Sequence, residues 1–297
     1  MPNSGDAEHP LAEVFGFPIN NFSEEAIRYR NTRLCPFHNK VPSCTKDKAT
    51  APLGVCSIYH NDDAVITCPV RFREKWFVTD RASQFFFPDG VSWTSIAEVN
   101  LNDKYGKTAG HIDMVLVSYD DSGRVLDFGA LEIQAVYISG NIRAPFQHYM
   151  ERPRERQSLS WKGQRNYPKP DYLSSSRKRL IPQVMYKGGI LKAWGKKQAV
   201  SLQKSFFETL PEMPTVTPDR ADIAWLVYDL KEDHATKTMT LADCETVYTE
   251  FGPALDRISK PVPGDIGEFM GLLQDKLDER LDNNPPDAPA LGDIVLQ

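Results

Sequence analysis

The sequence has no apolar run near the roughly 18 residues that a membrane span needs, and it holds no internal repeat or low-complexity block. Its opening, MPNSGDAEHPLAEVFGF, shows neither a basic n-region nor an apolar h-region, so no secretory signal is read and a cytoplasmic chain is expected. Cysteine is scarce, five in 297 residues, and in such a compartment this argues against a disulfide framework. An overall basic excess is missing too, with a formal net charge of -5. What is present is the composition of a soluble globular protein, 41% hydrophobic and 25% charged. The length suits one large domain or two small ones, with chain enough for a real core.

The charge is unevenly placed. Between Asn141 and Lys204 stand 15 Lys or Arg against Glu151, Glu155 and Asp171, a local net of +12 that leaves -17 for the rest. A phosphate backbone responds to the local field rather than the total, so nucleic acid stays among the partners. The alternative is a solvated charged surface.

Residues 1–34 read as a polar arm with one short helix, SEEAIRYR, capped by Ser23. Residues 35–70 are rich in Cys, Pro and Lys with little periodicity, so something other than an apolar core should hold them. SWTSIAEVNL reads as a helix. GHIDMVLVSYDDSGRVLDFGALEIQAV, residues 110–136, reads as a hairpin turning at DDSG. A long helix is expected from about Ser176 to Trp194, with Pro182 tolerable only near its start. QAVSL and ADIAWLVYDL read as strands separated by a short helical QKSFFETLP. GDIGEFMGLLQDKLDERL forms an amphipathic helix with Ile266, Phe269, Met270, Leu273 and Leu277 on one face, and DNNPPDAPA a loose tail. This order implies an α/β fold with a mixed central sheet flanked by helices. The divisions expected are an arm at 1–34, a four-cysteine insertion at 35–70, a core at 71–240 that contains the basic segment 141–204, and a C-terminal helical segment with its tail at 241–297.

The hairpin carries polar residues where a buried strand should carry Val or Ile. Period two puts Asp113 on the face of Val115 and Val117, and Glu132 on the face of Gln134 and Val136. A turn centred between Ser122 and Gly123 sets Asp113 directly opposite Glu132. Opposed like charges destabilise a sheet, unless a cation lies between them, and hard oxygen ligands suit Mg²⁺. The alternative is that all three polar residues lie on a solvated face. Asp113, then Glu132-x-Gln134, resembles the PD-(D/E)xK nuclease core, in which the last position is usually Lys. Asp113, Glu132 and the Ile133 carbonyl would hold Mg²⁺, and the metal would acidify a bound water and stabilise charge on the scissile phosphate. An amide at 134 supplies no charge and no base, but it can orient water or ligate through its oxygen. Glu98, read on the preceding helix, is a further candidate, although Ser95 to Glu98 also fits a capping box. His111, two residues from Asp113, could act as a base or be an ordinary strand residue.

Four cysteines, Cys35, Cys44, Cys56 and Cys68, fall within 34 residues. Four thiolates suit a tetrahedral structural metal, although the spacing is far from a tight zinc-finger pattern. His38 or His60 could replace one thiolate, and free buried cysteines are the other reading. Cys244 stands apart and reads as core.

Taken in order, CPFHNKVPSC, APLGVCSIYH, VITCPVRF, AGHIDMVLV, LEIQAV and YPKPDYLSSSRKRLIPQVMYKGG resemble the NotI-type restriction endonucleases over roughly residues 34–230. The resemblance implies a type II enzyme with a PD-(D/E)xK core in which Gln replaces Lys, acting with Mg²⁺ as a homodimer on palindromic double-stranded DNA and leaving 5′-phosphate ends. It implies Asp113, Glu132, Gln134 and Glu98 as the catalytic set. It also implies a structural iron on Cys35, Cys44, Cys56 and Cys68, although thiolate chemistry alone does not choose iron over zinc. Arg152, Arg154, Arg156, Lys162 and Arg165 would then lie near DNA. Ser175 and Ser176 would donate to phosphates that Arg177, Lys178 and Arg179 neutralise, with helix N-terminal amides adding to the site if these residues open a helix. Two alternatives stay open: a nicking or repair nuclease on the same core, and a metal-stabilised DNA-binding protein whose site has lapsed.

Overall fold

Four short strands near the N-terminus form one sheet and six longer ones after them form another in the computed structural model, which describes residues 8–38, 42–48, 50–61 and 63–282. The first four are β1 (Leu11–Val14), β2 (Phe17–Pro18), β3 (Val55–His60) and β4 (Asp63–Ile66), ordered β2-β1-β3-β4. The six are β5 (Trp93–Asn102), β6 (Thr108–Tyr119), β7 (Val125–Gln134), β10 (Gln198–Gln203), β11 (Ile223–Asp233) and β12 (Thr238–Thr249), ordered β12-β11-β10-β7-β6-β5. Strands β8 (Tyr137–Ser139) and β9 (Lys169–Asp171) pair separately. In the large sheet β7, β10 and β11 run parallel and the outer pairs antiparallel, so the expected mixed central sheet is present.

Its two faces bury different partners. Helix α2 (Phe77–Phe86) covers one, where Met114, Leu116, Leu131, Ala199, Ala224 and Leu226 meet Phe85 and Phe86. A Cβ on Gly129 would fall 2.3 Å from the Phe86 ring, so the glycine lets that ring lie on the sheet. The other face carries Val200, Leu202, Ile223 and Trp225 against helices α3 (Arg143–Glu151), α6 (Ile181–Ala193) and α8 (Phe251–Ser259). Period-two alternation along fully covered strands supplies both cores.

SWTSIAEVNL is strand β5 and not a helix. Trp93, Ser95, Ala97, Val99 and Leu101 turn inward while Thr94, Ile96, Glu98, Asn100 and Asn102 are exposed, a period of two over the whole segment. The capping box read at Ser95 to Glu98 is therefore not formed.

The long helix also begins earlier than expected. Asp171 caps α5 (Tyr172–Ser175) by accepting from Ser174 N at 2.8 Å, a π turn follows at Ser176–Leu180, and α6 continues from there. Pro182 thus lies inside continuous helical chain. It has no N–H to donate and its ring crowds the carbonyl four residues back, and the wider π turn just before it absorbs both.

The described residues between 8 and 70 form no separate arm and insertion. Strand β1, buried along its whole length, pairs with β3, and Leu11, Val14, Leu53, Val55, Ile58 and Val65 share an apolar core with the large sheet. The expected helix is α1 (Glu24–Thr32), capped by Ser23. Gln203, at the end of β10, joins the two sheets by accepting from Ile66 N at 2.6 Å and donating to the Ala64 carbonyl at 2.7 Å. Fully buried Arg71 bonds Glu13 at 3.1 Å, Glu74 at 2.6 Å and the Met239 carbonyl at 2.9 Å, so one guanidinium links β1 to β12.

Residues 238–249, assigned from sequence mostly to a C-terminal helical segment, complete the large sheet, and Cys244 there is exposed, not core. The unit Met1–Ser259 ends with α8. The second unit holds α9 (Ile266–Asp282), where Ile266, Phe269, Met270, Leu273 and Leu277 are all exposed. The expected loose tail lies outside the described residues from 283 onward. Among the described residues no helix is long and apolar enough to cross a membrane.

Candidate active site

The hairpin register decides the site. Met114 pairs with Leu131 and Val115 with Ala130, so one step further along the same register Asp113 stands opposite Glu132. The ladder shift falls near the turn, between Ser118 and Tyr119, and leaves this end undisturbed. Asp113 Oδ2 accepts from Ile133 N at 2.8 Å, tying the carboxylate to the backbone between Glu132 and Gln134. Burial raises the Asp113 carboxyl from its ordinary value, with the Ile133 N–H and Lys187 opposing. Burial and the neighbouring Asp113 charge push Glu132 up to about 8, with Lys187 opposing.

Gln134 is buried at the C-terminal end of β7, and its amide donates to the Ala135 carbonyl at 2.7 Å. Asp113, Gln134, Tyr137, Arg179 and Gln183 are among the walls of a cleft of about 490 Å³ beside the carboxylate pair. Glu98 reaches this neighbourhood from the edge strand. The pairs Ala97–Met114 and Val99–Ile112 flank it, which puts Glu98 at the position opposite Asp113. It is exposed, with φ of 56°, and it makes no ladder pair of its own. His111 is exposed, and its backbone carbonyl is what it brings to the site.

Two cations at the site went unread in the sequence. Lys187 of α6 is 3% exposed and bonds both Glu132 oxygens, at 2.9 and 2.8 Å, and the His111 carbonyl. Arg73, in the turn before α2, acts electrostatically on Asp113, and its buried Nε makes no hydrogen bond among the described residues. A signal for Lys187 did exist: Arg179, Gln183 and Lys187 recur at helical spacing, on one face of a helix. Arg73 had none.

A family model described as Restriction endonuclease NotI matches residues 14–241. The chain belongs to the NotI restriction endonuclease family. It is therefore a type II site-specific deoxyribonuclease acting on double-stranded DNA. The match opens at the last residue of β1 and closes inside β12, so it takes in most of both sheets and all of the hairpin, the four clustered cysteines and the basic segment. No curated protein matches the chain.

In this NotI-family enzyme the basic segment is not one uniform surface. Arg177, Lys178 and Arg179 are exposed, and Arg179 lines the cleft and lies 3.6 Å over the Tyr137 ring. A second hollow, about 480 Å³, is lined by Ser174, Lys178, Arg179 and Gln183 and shares Tyr137, Arg179 and Gln183 with the first. Ser175 is fully buried, donates to the Asp171 carbonyl at 2.6 Å and accepts from Tyr137 N at 2.8 Å, so it has no reach to phosphate and serves to fix β8 on α5. Ser176 bonds the Leu173 carbonyl at 3.2 Å. Neither serine opens a helix, since the N-cap is Asp171, so no helix N-terminal anion site forms at SSSRKR. Arg152 pairs with Glu155 at 3.2 Å and Arg156 with Glu151, which offsets their charge, while Arg154 stacks over Phe22 at 4.8 Å. Lys162 and Arg165 are exposed on the loop before β9.

The four clustered cysteines of the NotI-family chain gather around Cys68, which acts electrostatically on Cys35, Cys44 and Cys56. Strands β3 and β4 bring Cys56 beside Cys68, with Thr67 N donating to the Cys56 carbonyl at 2.9 Å. Bridging of Leu34 with Ser43 brings Cys35 and Cys44 together. Burial pushes the Cys35, Cys44 and Cys56 thiols up, Cys35 to about 11. All four are free thiols, and among the described residues no three Cys, His, Asp or Glu side chains approach closely enough to hold a metal ion. The donor set, four thiols, is right in kind for one structural ion.

Proposed function

We propose that this type II enzyme hydrolyses DNA in a Mg²⁺-dependent reaction on a PD-(D/E)xK core, leaving 5′-phosphate and 3′-hydroxyl ends. The observation that carries this is the opposition of Asp113 and Glu132 at the end of the β6–β7 ladder. Buried Glu132 and half-buried Asp113 repel there unless a cation joins them. Asp113, Glu132 and the Ile133 carbonyl would hold the ion, which would supply Lewis-acid stabilisation of charge on the scissile phosphate and a more acidic attacking water. Gln134, a neutral amide on the cleft wall, orients that water. Glu98 approaches from β5 on the open side. Arg177, Lys178 and Arg179 hold the phosphates that flank the cut, with Arg154, Lys162 and Arg165 further out.

The same reading gives Cys35, Cys44, Cys56 and Cys68 a structural iron or zinc, drawing together thiols that already neighbour one another. Acting in the cytoplasm, where such thiols stay reduced, the enzyme works as a homodimer, because a palindromic site offers two equivalent strands to two equivalent centres. The test is digestion of several genomic DNAs with and without Mg²⁺. Discrete fragments formed only with Mg²⁺ are expected. Nicks alone, or retention on DNA without cutting, would refute the proposal.

A further inference from the structure

Charge arithmetic in the site leaves a gap. Asp113, an incoming phosphate and Glu132 once its proton is displaced are all anionic, and Gln134 at the next inward position on β7 is neutral. One buried cation is bonded to Glu132, and it comes from helix α6. We propose that Lys187 is the fixed cation of the catalytic centre, a positioning residue that sets the Glu132 carboxylate against Asp113 and offsets the negative charge met by the DNA phosphate. This rests on the nuclease reading of Asp113 and Glu132.

Three observations carry it. The ammonium is held on both Glu132 oxygens and on the His111 carbonyl, two residues from Asp113, so it spans both strands of the hairpin. The surroundings are cut to let it in. Gly188 lets α6 lie close on the sheet, since a Cβ there would stand 2.7 Å from Gln198 Oε1 and 2.7 Å from Phe251 Cε2. Finally, stability alone gives little reason for such a pair. Taking an ammonium and a carboxylate out of water costs several kcal/mol each, and well-packed apolar replacements of whole buried pairs are often neutral or stabilising.

The experiment is single-turnover cleavage in Mg²⁺ by the wild type, Lys187→Met and the double variant Gln134→Lys/Lys187→Met. Thermal melting and metal-free DNA binding are followed for each. Lys187→Met should slow cleavage by about 100-fold or more while it still folds and binds DNA. Returning an ammonium to the pair from the strand side should recover at least about tenfold of that loss, which a residue needed only for packing would not allow. A folded Lys187→Met that cuts within about threefold of wild type would overturn the proposal, as would a folded double variant with no recovery. Should Lys187→Met fail to fold, the double variant decides alone, its cleavage supporting and its folded inactivity refuting. A wild type that cuts no DNA in Mg²⁺ removes the nuclease reading itself, an outcome distinct from every result on Lys187.

Discussion

Asp113→Asn should make the protein more stable and inactive at once. The asparagine keeps an oxygen for Ile133 N, now bonded at 2.8 Å, and removes one of two opposed charges. Cross-strand partners stand about 5 Å apart, and at an effective dielectric of about 20 two unit charges at that distance repel by about 3 kcal/mol. Lys187, bonded to both Glu132 oxygens, offsets part of this, which leaves a gain of about 1–2 kcal/mol. For a chain of this size that is a rise of about 3–6 °C in melting temperature. The gain must depend on pH. Glu132 has a folded pKa raised to about 8, so its contribution to stability is present at low pH and is lost as pH rises through that value. Asp113→Asn removes one cause of the elevation, so the variant should melt with the wild type near pH 5 and above it near pH 9. Calorimetry of the metal-free proteins at the two pH values, with cleavage assayed in Mg²⁺, measures both effects. A variant that still cuts, or whose stability gain does not change with pH, would refute the reasoning.

Divalent-ion affinity should rise with pH, by up to about tenfold per unit below pH 8, because binding must displace the proton that Glu132 holds there; isothermal titration with release of protons to buffer reads this, and a flat profile would contradict it. Arg71→Met should cost about 3–5 kcal/mol, since it strands the buried carboxylates Glu13 and Glu74 that the guanidinium now bonds; chemical denaturation measures it, and a loss below about 1 kcal/mol would show the network to be incidental. Arg177→Ala with Lys178→Ala should weaken DNA binding on specific and random sequences alike and lower the salt slope by about two; a loss confined to the specific site would assign these residues to base readout instead. Elemental analysis of purified protein should find about one tightly held iron or zinc per chain, as a four-thiolate site takes a single ion; a metal-free, fully folded protein would leave the thiols as core residues.

The hairpin was readable because each of its signals is local. Its period of two and its DDSG turn lie within 27 residues, and one register follows from the turn centre. Segment 93–102 misled for a local reason as well. Ser, Ala and Glu suit a helix, and Ile96 sits on the exposed face, so the period of two was easy to miss. Strand β12 was hidden by its polarity, as an edge strand with one solvated face need not look apolar. The small sheet was hidden by distance. Strand β1 spans four residues and pairs with β3 some forty residues later, and no pattern within either announces the other.

Sequence alone determined which residues could carry the chemistry: Asp113, Glu132 and Gln134 by strand period and turn position, the cysteine cluster and the cationic run by density. Tertiary structure decided which of them meet. It moved Glu98 from a helix to the edge strand opposite Asp113, buried Ser175, exposed Cys244, and laid α6 on the sheet so that Lys187 reaches Glu132 across 55 residues of chain. The reason is physical. Periodicity reports the face a side chain takes on its own element, whereas the distance between charges on two elements depends on how closely those elements pack, and here Gly188, with no side chain, lets α6 lie close on β10.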